Sequence, residues 1–203
     1  EINSAREVTK TDALRLQTFQ SRTVGVLGVV DADRVVFYRG TVKRHTSRSE
    51  FDVSTITALP RVDVVMVYQG APGDLIKAAV DLGAKGIVIA SAGAGATSGT
   101  QSDGLSYATD KGAVVVTTTR TGSGRISGGR LMGAPPAAAI GATPAVPATA
   151  GAGGTATAAG AQPAGPAQTP RGRRAFVGGE DLQPIKARIL LMLALTRTSD
   201  PVE

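Results

Sequence analysis

From Val62 onward the sequence alternates in a way that few folds accommodate. The run "VDVVMVY" at 62–68 is almost continuously β-branched. "PGDLIKAAVDLG" at 72–83 follows it, with Leu75, Ala78, Ala79 and Leu82 at helical spacing and Gly83 as a natural stop. A second apolar run, "GIVIA" at 86–90, leads through "SAGAGATSG" to a helical stretch near 101–111, and "AVVVTTT" at 113–119 is a third strand. Strands with no polar alternation are buried on both faces, which requires helices above and below a parallel sheet. The expectation is a three-layer α/β arrangement, Rossmann-like or flavodoxin-like, with right-handed crossovers. Ligands of such sheets sit at the carboxyl ends of the strands, here the loops 69–73, 91–99 and 120–129.

The flanking sequence reads differently. "VGVLGVVDADRVVFYRG" at 24–40 is two β-rich runs around Asp31-Ala32-Asp33, the pattern of a hairpin, and "TVKRHTSRSEFDVS" after it is polar and aperiodic, a linker. Residues 131–170 hold no charged side chain and seven of the chain's 11 prolines. That segment lacks the large apolar surface needed to offset ordering entropy and reads as a low-complexity insertion. The chain then returns to "LQPIKARILLMLALTRT", where Pro184 suits a first helical turn. Ile185, Ile189, Met192 and Leu193 form one stripe there, widened by Leu190, Leu191 and Leu195.

Composition narrows the function. Aromatic residues are 3% against 42% hydrophobic, with no Trp, so the core is aliphatic. The net charge of +6 is scattered, and its one tight run, "RGRR" at 171–174, has no interleaved aromatics to stack bases, so neither nucleic acid nor membrane is the expected partner. The absence of Cys excludes thiol catalysis and disulfides. "ILLMLAL" is far shorter than the roughly 18–20 apolar residues that span a bilayer. The opening Glu1-Ile2-Asn3 is neither an initiator Met nor a leader, and is read as a truncated or processed start.

Three features invite a chemical reading. Gly93, Ala94, Gly95 and Ala96, in the loop after the second strand, could bring backbone amides to a ligand; Ser98 stands where a dinucleotide fingerprint needs glycine, and no P-loop lysine follows. His45 is the single histidine, in a polar linker with no carboxylate or histidine cluster, so no metal is expected. Lys10, in "REVTKT", lies between Thr9 and Thr11. A lysine that is desolvated or set beside hydroxyls can relay a proton or polarise a nucleophile; an exposed lysine in a strand or turn is the plainer alternative.

Taken together, "EINSAREVTKTDALRLQTFQS", "RGTVKRHTSRSEFDVS", "LPRVDVVMVYQGAP", "AAVDLGAKGIVIASAGAGA", "TTTRTGSGRI" and "LQPIKARILLMLALTRTSDP" resemble, in collinear order, the second half of the bacterial type II L-asparaginases of the asparaginase/glutaminase family. The resemblance implies a two-domain hydrolase, usually a homotetramer, that converts L-asparagine to L-aspartate and ammonia without a cofactor. It also implies export to the periplasm or medium, a nucleophilic threonine in a TGGT-like loop, and a Thr-Asp pair in a DGTDT-like loop. Lys10 falls on the family's catalytic lysine. Neither threonine loop occurs in these 203 residues. By the same matching, residues 1–40 are the tail of a catalytic domain, 41–60 the interdomain linker and 61–203 the smaller domain. Ala96 stands where many members place an asparagine that serves a neighbouring subunit's site. Two readings follow: an asparaginase-type amidohydrolase acting on L-asparagine, with the choice between asparagine and glutamine left open, whose nucleophile lies outside this chain, or a non-catalytic α/β small-ligand-binding or assembly module.

Overall fold

The computed structural model describes residues 1–126 and 176–200. These belong to one compact unit, residues 1–129 with 175–203. The proposed insertion at 131–170 and the basic run at 171–174 lie outside the described residues.

The unit begins with two small antiparallel ribbons. Strands β1 (Thr9–Lys10) and β2 (Phe19–Gln20) pair with Lys10 opposite Phe19. Strands β3 (Gly28–Val30) and β4 (Val35–Phe37) form the hairpin expected around Asp31–Asp33, closed by a hydrogen bond from the Asp31 amide to the Arg34 carbonyl. Residues 41–60 carry one 3-10 turn, Thr46–Arg48, and are otherwise irregular.

The sheet comes next. Strands β5 (Val62–Met66), β6 (Gly86–Ser91), β7 (Val114–Thr119) and β8 (Phe176–Gly178) lie parallel in the order β5-β6-β7-β8. Helices α1 (Asp74–Asp81) and α2 (Gln101–Asp110) are the crossovers between the first three. Because the order advances one way only, right-handed crossovers place both on one face. Helix α3 (Pro184–Ala194) covers the other face, completing the three layers. Every residue of β6 is buried, which is why "GIVIAS" carries no alternation. Ile87, Ile89 and Val115 pack with Ile76, Ala79, Leu105 and Ala108 beneath α1 and α2. Val62, Val88, Val114 and Val116 pack with Ala187 and Leu191 beneath α3. Each fully buried Ile or Val contributes on the order of 1.5–3 kcal/mol.

Glycine sets both helix ends and helix rotation. Gly83 (φ +92°) and Gly112 (φ +82°) follow α1 and α2 in left-handed backbone. The amides beyond them, of Ala84 and Ala113, bond back to the carbonyls of Ala79 and Ala108, so the two helices end in the same glycine-dependent way.

The stripes expected on α1 and α3 need correction. On α1 the buried side chains are Ile76 and Ala79, while Leu75 and Leu82 are 58% and 69% exposed. A Cβ on Gly104 would lie 2.6 Å from the Gly73 carbonyl oxygen, so α1 and α2 meet at backbone distance there and α1 is turned to send Ile76 inward. On α3 the buried side chains are Ala187 and Leu191, with Ile185 64% and Ile189 49% exposed. A Cβ on Gly86 would lie 2.6 Å from Leu191 Cδ2. Glycine on β6 thus makes the hole that Leu191 fills and fixes which face of α3 turns down.

Candidate functional site

Lys10 lies in a ribbon whose turn is built from polar bonds. The Thr11 amide donates to the Thr18 carbonyl at 2.7 Å, and the Thr11 hydroxyl donates to the same oxygen at 3.0 Å. Thr18, only 5% exposed, accepts from the Asp12 amide at 3.0 Å and donates its own hydroxyl to the Asp12 carbonyl. The Asp12 carboxylate accepts from the Leu14 and Arg15 amides at 2.8 and 3.0 Å. The Leu14 amide, then the Arg15 amide, hold the Asp12 carboxyl below the usual carboxylate range.

The two threonines beside Lys10 do not approach it as their adjacency in sequence suggests. In extended backbone, neighbours at i±1 project to the opposite face, and the Thr11 hydroxyl is engaged by Thr18. The Lys10 ammonium instead stands 5.4 Å from the centroid of the Phe19 ring, its cross-strand partner, in a cation–π contact. The Lys10 side chain is exposed.

Two clefts adjoin this ribbon. One, of about 230 Å³, is lined by Thr11, Asp12, Arg15, Gln17, Gln20 and Arg22. The other, of about 280 Å³, lies between Arg6, Glu7 and Thr9 on one side and the loop after β7, Gly122 to Arg125, on the other. Arg6 crosses to Asp181 at 2.5 Å and also meets Glu7 at 3.4 Å. Glu180, with φ at +53°, holds Arg125 at 2.9 Å and Lys43 at 3.7 Å. The charged side chains that wall the cleft beside Thr9 are Arg6, Arg22 and Arg125 with Glu7 and Asp181. Of the three strand-end loops expected to hold ligand, the one after β7 contributes to it.

The loop after β6 is occupied with itself. Ser91 Oγ lies 2.7 Å from the Gly93 carbonyl and 2.6 Å from the Thr118 carbonyl, and it accepts from the Gly95 amide at 3.1 Å. The Ser98 amide donates to Gln101 Oε1 at 3.4 Å, and the Gln101, Asp103 and Gly104 amides bond back to Ser98 and Thr100. Three amides at the start of α2, those of Gln101, Asp103 and Gly104, are therefore engaged, which does not suit an anion cradle. Gly93, Ala94, Gly95 and Ala96 line neither cleft. His45 is exposed, its Nδ1 3.3 Å from the Thr46 hydroxyl.

Sequence reasoning missed a residue that ties the turn before Lys10 to α3. Lys186, in the first turn of α3, donates to the carbonyls of Ala5 and Val8. Burial draws its ammonium below the ordinary lysine range, and the Glu7 carboxylate opposes that. No local pattern signals a bond between residues so far apart in sequence. Asp12 left a faint sign, a carboxylate able to cap its own turn.

Comparison with known proteins follows the same outline. The sequence model of the Glutaminase/Asparaginase C-terminal domain matches residues 61–152. L-asparaginase 2 of Bacillus subtilis is 34% identical over 200 residues, covering 98% of this chain and 43% of the relative. The probable periplasmic L-asparaginase of Haemophilus influenzae is 29% identical over 201 residues, covering 99% of this chain and 47% of the relative. The crystal structure of a probable cytoplasmic L-asparaginase from Campylobacter jejuni superposes with a TM-score of 0.74 at 34% identity, over 98% of this chain and 53% of that one. The chain spans about half the length of the curated relatives it matches. With the three-layer sheet and the ordered matches on both sides of residue 61, these likenesses place the chain in the asparaginase family.

Proposed function

We propose that this chain supplies the catalytic lysine and the smaller domain of an amidohydrolase that converts L-asparagine, or its homologue L-glutamine, to the corresponding acid and ammonia. The observation that carries this reading is "REVTKT", matched in order with five downstream blocks, with Lys10 on strand β1 next to Thr9, a residue that lines a cleft of charged side chains. In the reaction a threonine hydroxyl from outside these 203 residues attacks the side-chain amide carbon. The carbon–nitrogen bond breaks as the amide nitrogen takes up the proton lost by the hydroxyl and leaves as ammonia, and water hydrolyses the resulting ester. Lys10 takes part as the proton-relay group that activates the attacking oxygen, while backbone amides steady the oxyanion. Such a relay contributes about 10²–10⁴-fold in rate.

Residues 1–40 then form the end of a catalytic domain, 41–60 the link and 61–203 the smaller domain, a division supported by a family-domain match that starts at residue 61. The resemblance adds a homotetramer and export. The names of the relatives divide between periplasm and cytoplasm, and among the described residues no helix is long and apolar enough to cross a membrane. The rival reading, a small-ligand module built on Gly93–Ala96, loses support because the amides of Gly95, Gln101, Asp103 and Gly104 are engaged locally. The test is ammonia release from L-asparagine by the 203-residue chain alone. None is expected, and turnover would contradict a nucleophile supplied from elsewhere.

A further inference from the structure

Lys186 occupies a position that its own helix does not favour. It is the third residue of α3, where the positive end of the helix dipole disfavours a cation. It is also half-buried, which penalises the charge again. Both costs are offset outside the helix. The Nζ atom donates to the Val8 carbonyl at 2.5 Å and to the Ala5 carbonyl, with Glu7 adding its charge nearby.

Those two carbonyls belong to one turn. The Glu7 and Val8 amides bond to the Ser4 carbonyl at 3.1 and 2.9 Å, so residues 4–8 close on themselves. Their outward carbonyls need partners, and Lys186 supplies two donors at once. The next residues in the chain are Thr9 and Lys10, strand β1. Lys186 is anchored in turn, because the following residue, Ala187, is buried against the sheet and Arg188 Nε donates to the Val62 carbonyl at 2.8 Å. A continuous line of bonds therefore runs from β5 through α3 to the turn that launches Lys10.

We propose that Lys186 is a positioning residue for Lys10, fixing the direction in which β1 leaves the Ser4–Val8 turn and hence where the Lys10 ammonium stands. The proposal rests on the reading of Lys10 as the reacting lysine. It assigns to α3, a helix of the smaller domain, the setting of a group carried by the other end of the chain. Displacement of a reacting group by about 1 Å can cost on the order of 100-fold in rate, so such an anchor matters to chemistry as well as to order.

The test uses the 203-residue chain itself. The Lys10 ammonium stands over the Phe19 ring, so its εCH₂ protons carry an upfield ring-current shift that reports position directly. In Lys186→Met that shift collapses towards the value of an unstructured lysine, and exchange of the Val8 and Thr11 amides speeds up at least tenfold. Lys186→Arg, which keeps the donors, retains most of both. The Val88 and Val115 amides in the sheet exchange as before in either variant. An unmoved Lys10 signal in Lys186→Met overturns the proposal, and so does loss of Val88 and Val115 protection, which would make the effect global. Because this readout needs no turnover, its failure leaves the chemical role of Lys10 standing. Failure of Lys10→Ala to slow hydrolysis, conversely, leaves the tether standing.

Discussion

The sheet and the sixty residues before it are held by different forces. Between Val62 and Leu191 the described residues bury a continuous aliphatic core on two faces of four strands, and glycines let helices and strands meet at backbone distance. Among residues 1–60 no large hydrophobic side chain is fully buried. Thr18 and Ser21 are buried, whereas Phe19, Val30, Val35, Phe37 and Tyr38 are exposed. That half is ordered by hydroxyls, carboxylates and the long ties of Arg6 and Lys186. Lys10 is carried by the half with less of its own support. Its placement depends on bonds made to the other half.

This contrast can be broken by substitution. Ile89→Ala, at a side chain with no exposure, should lower the unfolding free energy by about 2–5 kcal/mol in urea titration. Val35→Ala on the exposed ribbon should change it by less than about 0.5 kcal/mol. Equal losses at the two sites would erase the distinction. Thr18→Val strips the partner of the Asp12 amide while keeping the shape, and should cost about 1–3 kcal/mol, with the loss of exchange protection confined to residues 9–20. Arg6→Ala removes an exposed pair with Asp181. Its effect on global stability should stay below about 1 kcal/mol, and its signature is faster exchange of the Val8 amide with the sheet unchanged.

The smallest effect is one of acidity. The Asp12 carboxyl is held below its ordinary range by the Leu14 and Arg15 amides, so the contribution of that turn is fully present above the ordinary aspartate value. It fades only as pH falls through the lowered value. Amide shifts of Leu14 and Arg15 should titrate together in that acid window, and Asp12→Asn should abolish the titration. Movement of either shift at neutral pH would contradict the assignment.

What could be read from the sequence follows the same divide. Three of the four strands of the sheet were legible because β-branched runs with no alternation have few other uses, as in Gly86–Ser91 and Val114–Thr119. The rotation of α1 and α3 was not. Each helix offers more than one apolar stripe, and the choice was made by Gly73 against Gly104 and by Gly86 beneath Leu191, contacts between distant segments. Strand β8 escaped notice because Phe176–Gly178 is three residues long and owes its extension to pairing with Val115–Thr117. The β1–β2 ribbon escaped because side-chain oxygens hold it, and hydrophobic periodicity does not register them. Lys10 was found through the ordered likeness of its surroundings to a family. The structure adds Lys186, 176 positions further along the chain, as the side chain that reaches the turn before it.

The measurement that bears most directly on the central claim is the rate of ammonia release from L-asparagine by this chain joined at its amino end to the amino-terminal half of the Bacillus subtilis relative, with and without Lys10→Ala. Hydrolysis by the parent is expected, and a loss of about 100-fold or more in kcat with Lys10→Ala, the far-ultraviolet circular dichroism unchanged. Equal rates with and without the Lys10 ammonium would contradict it.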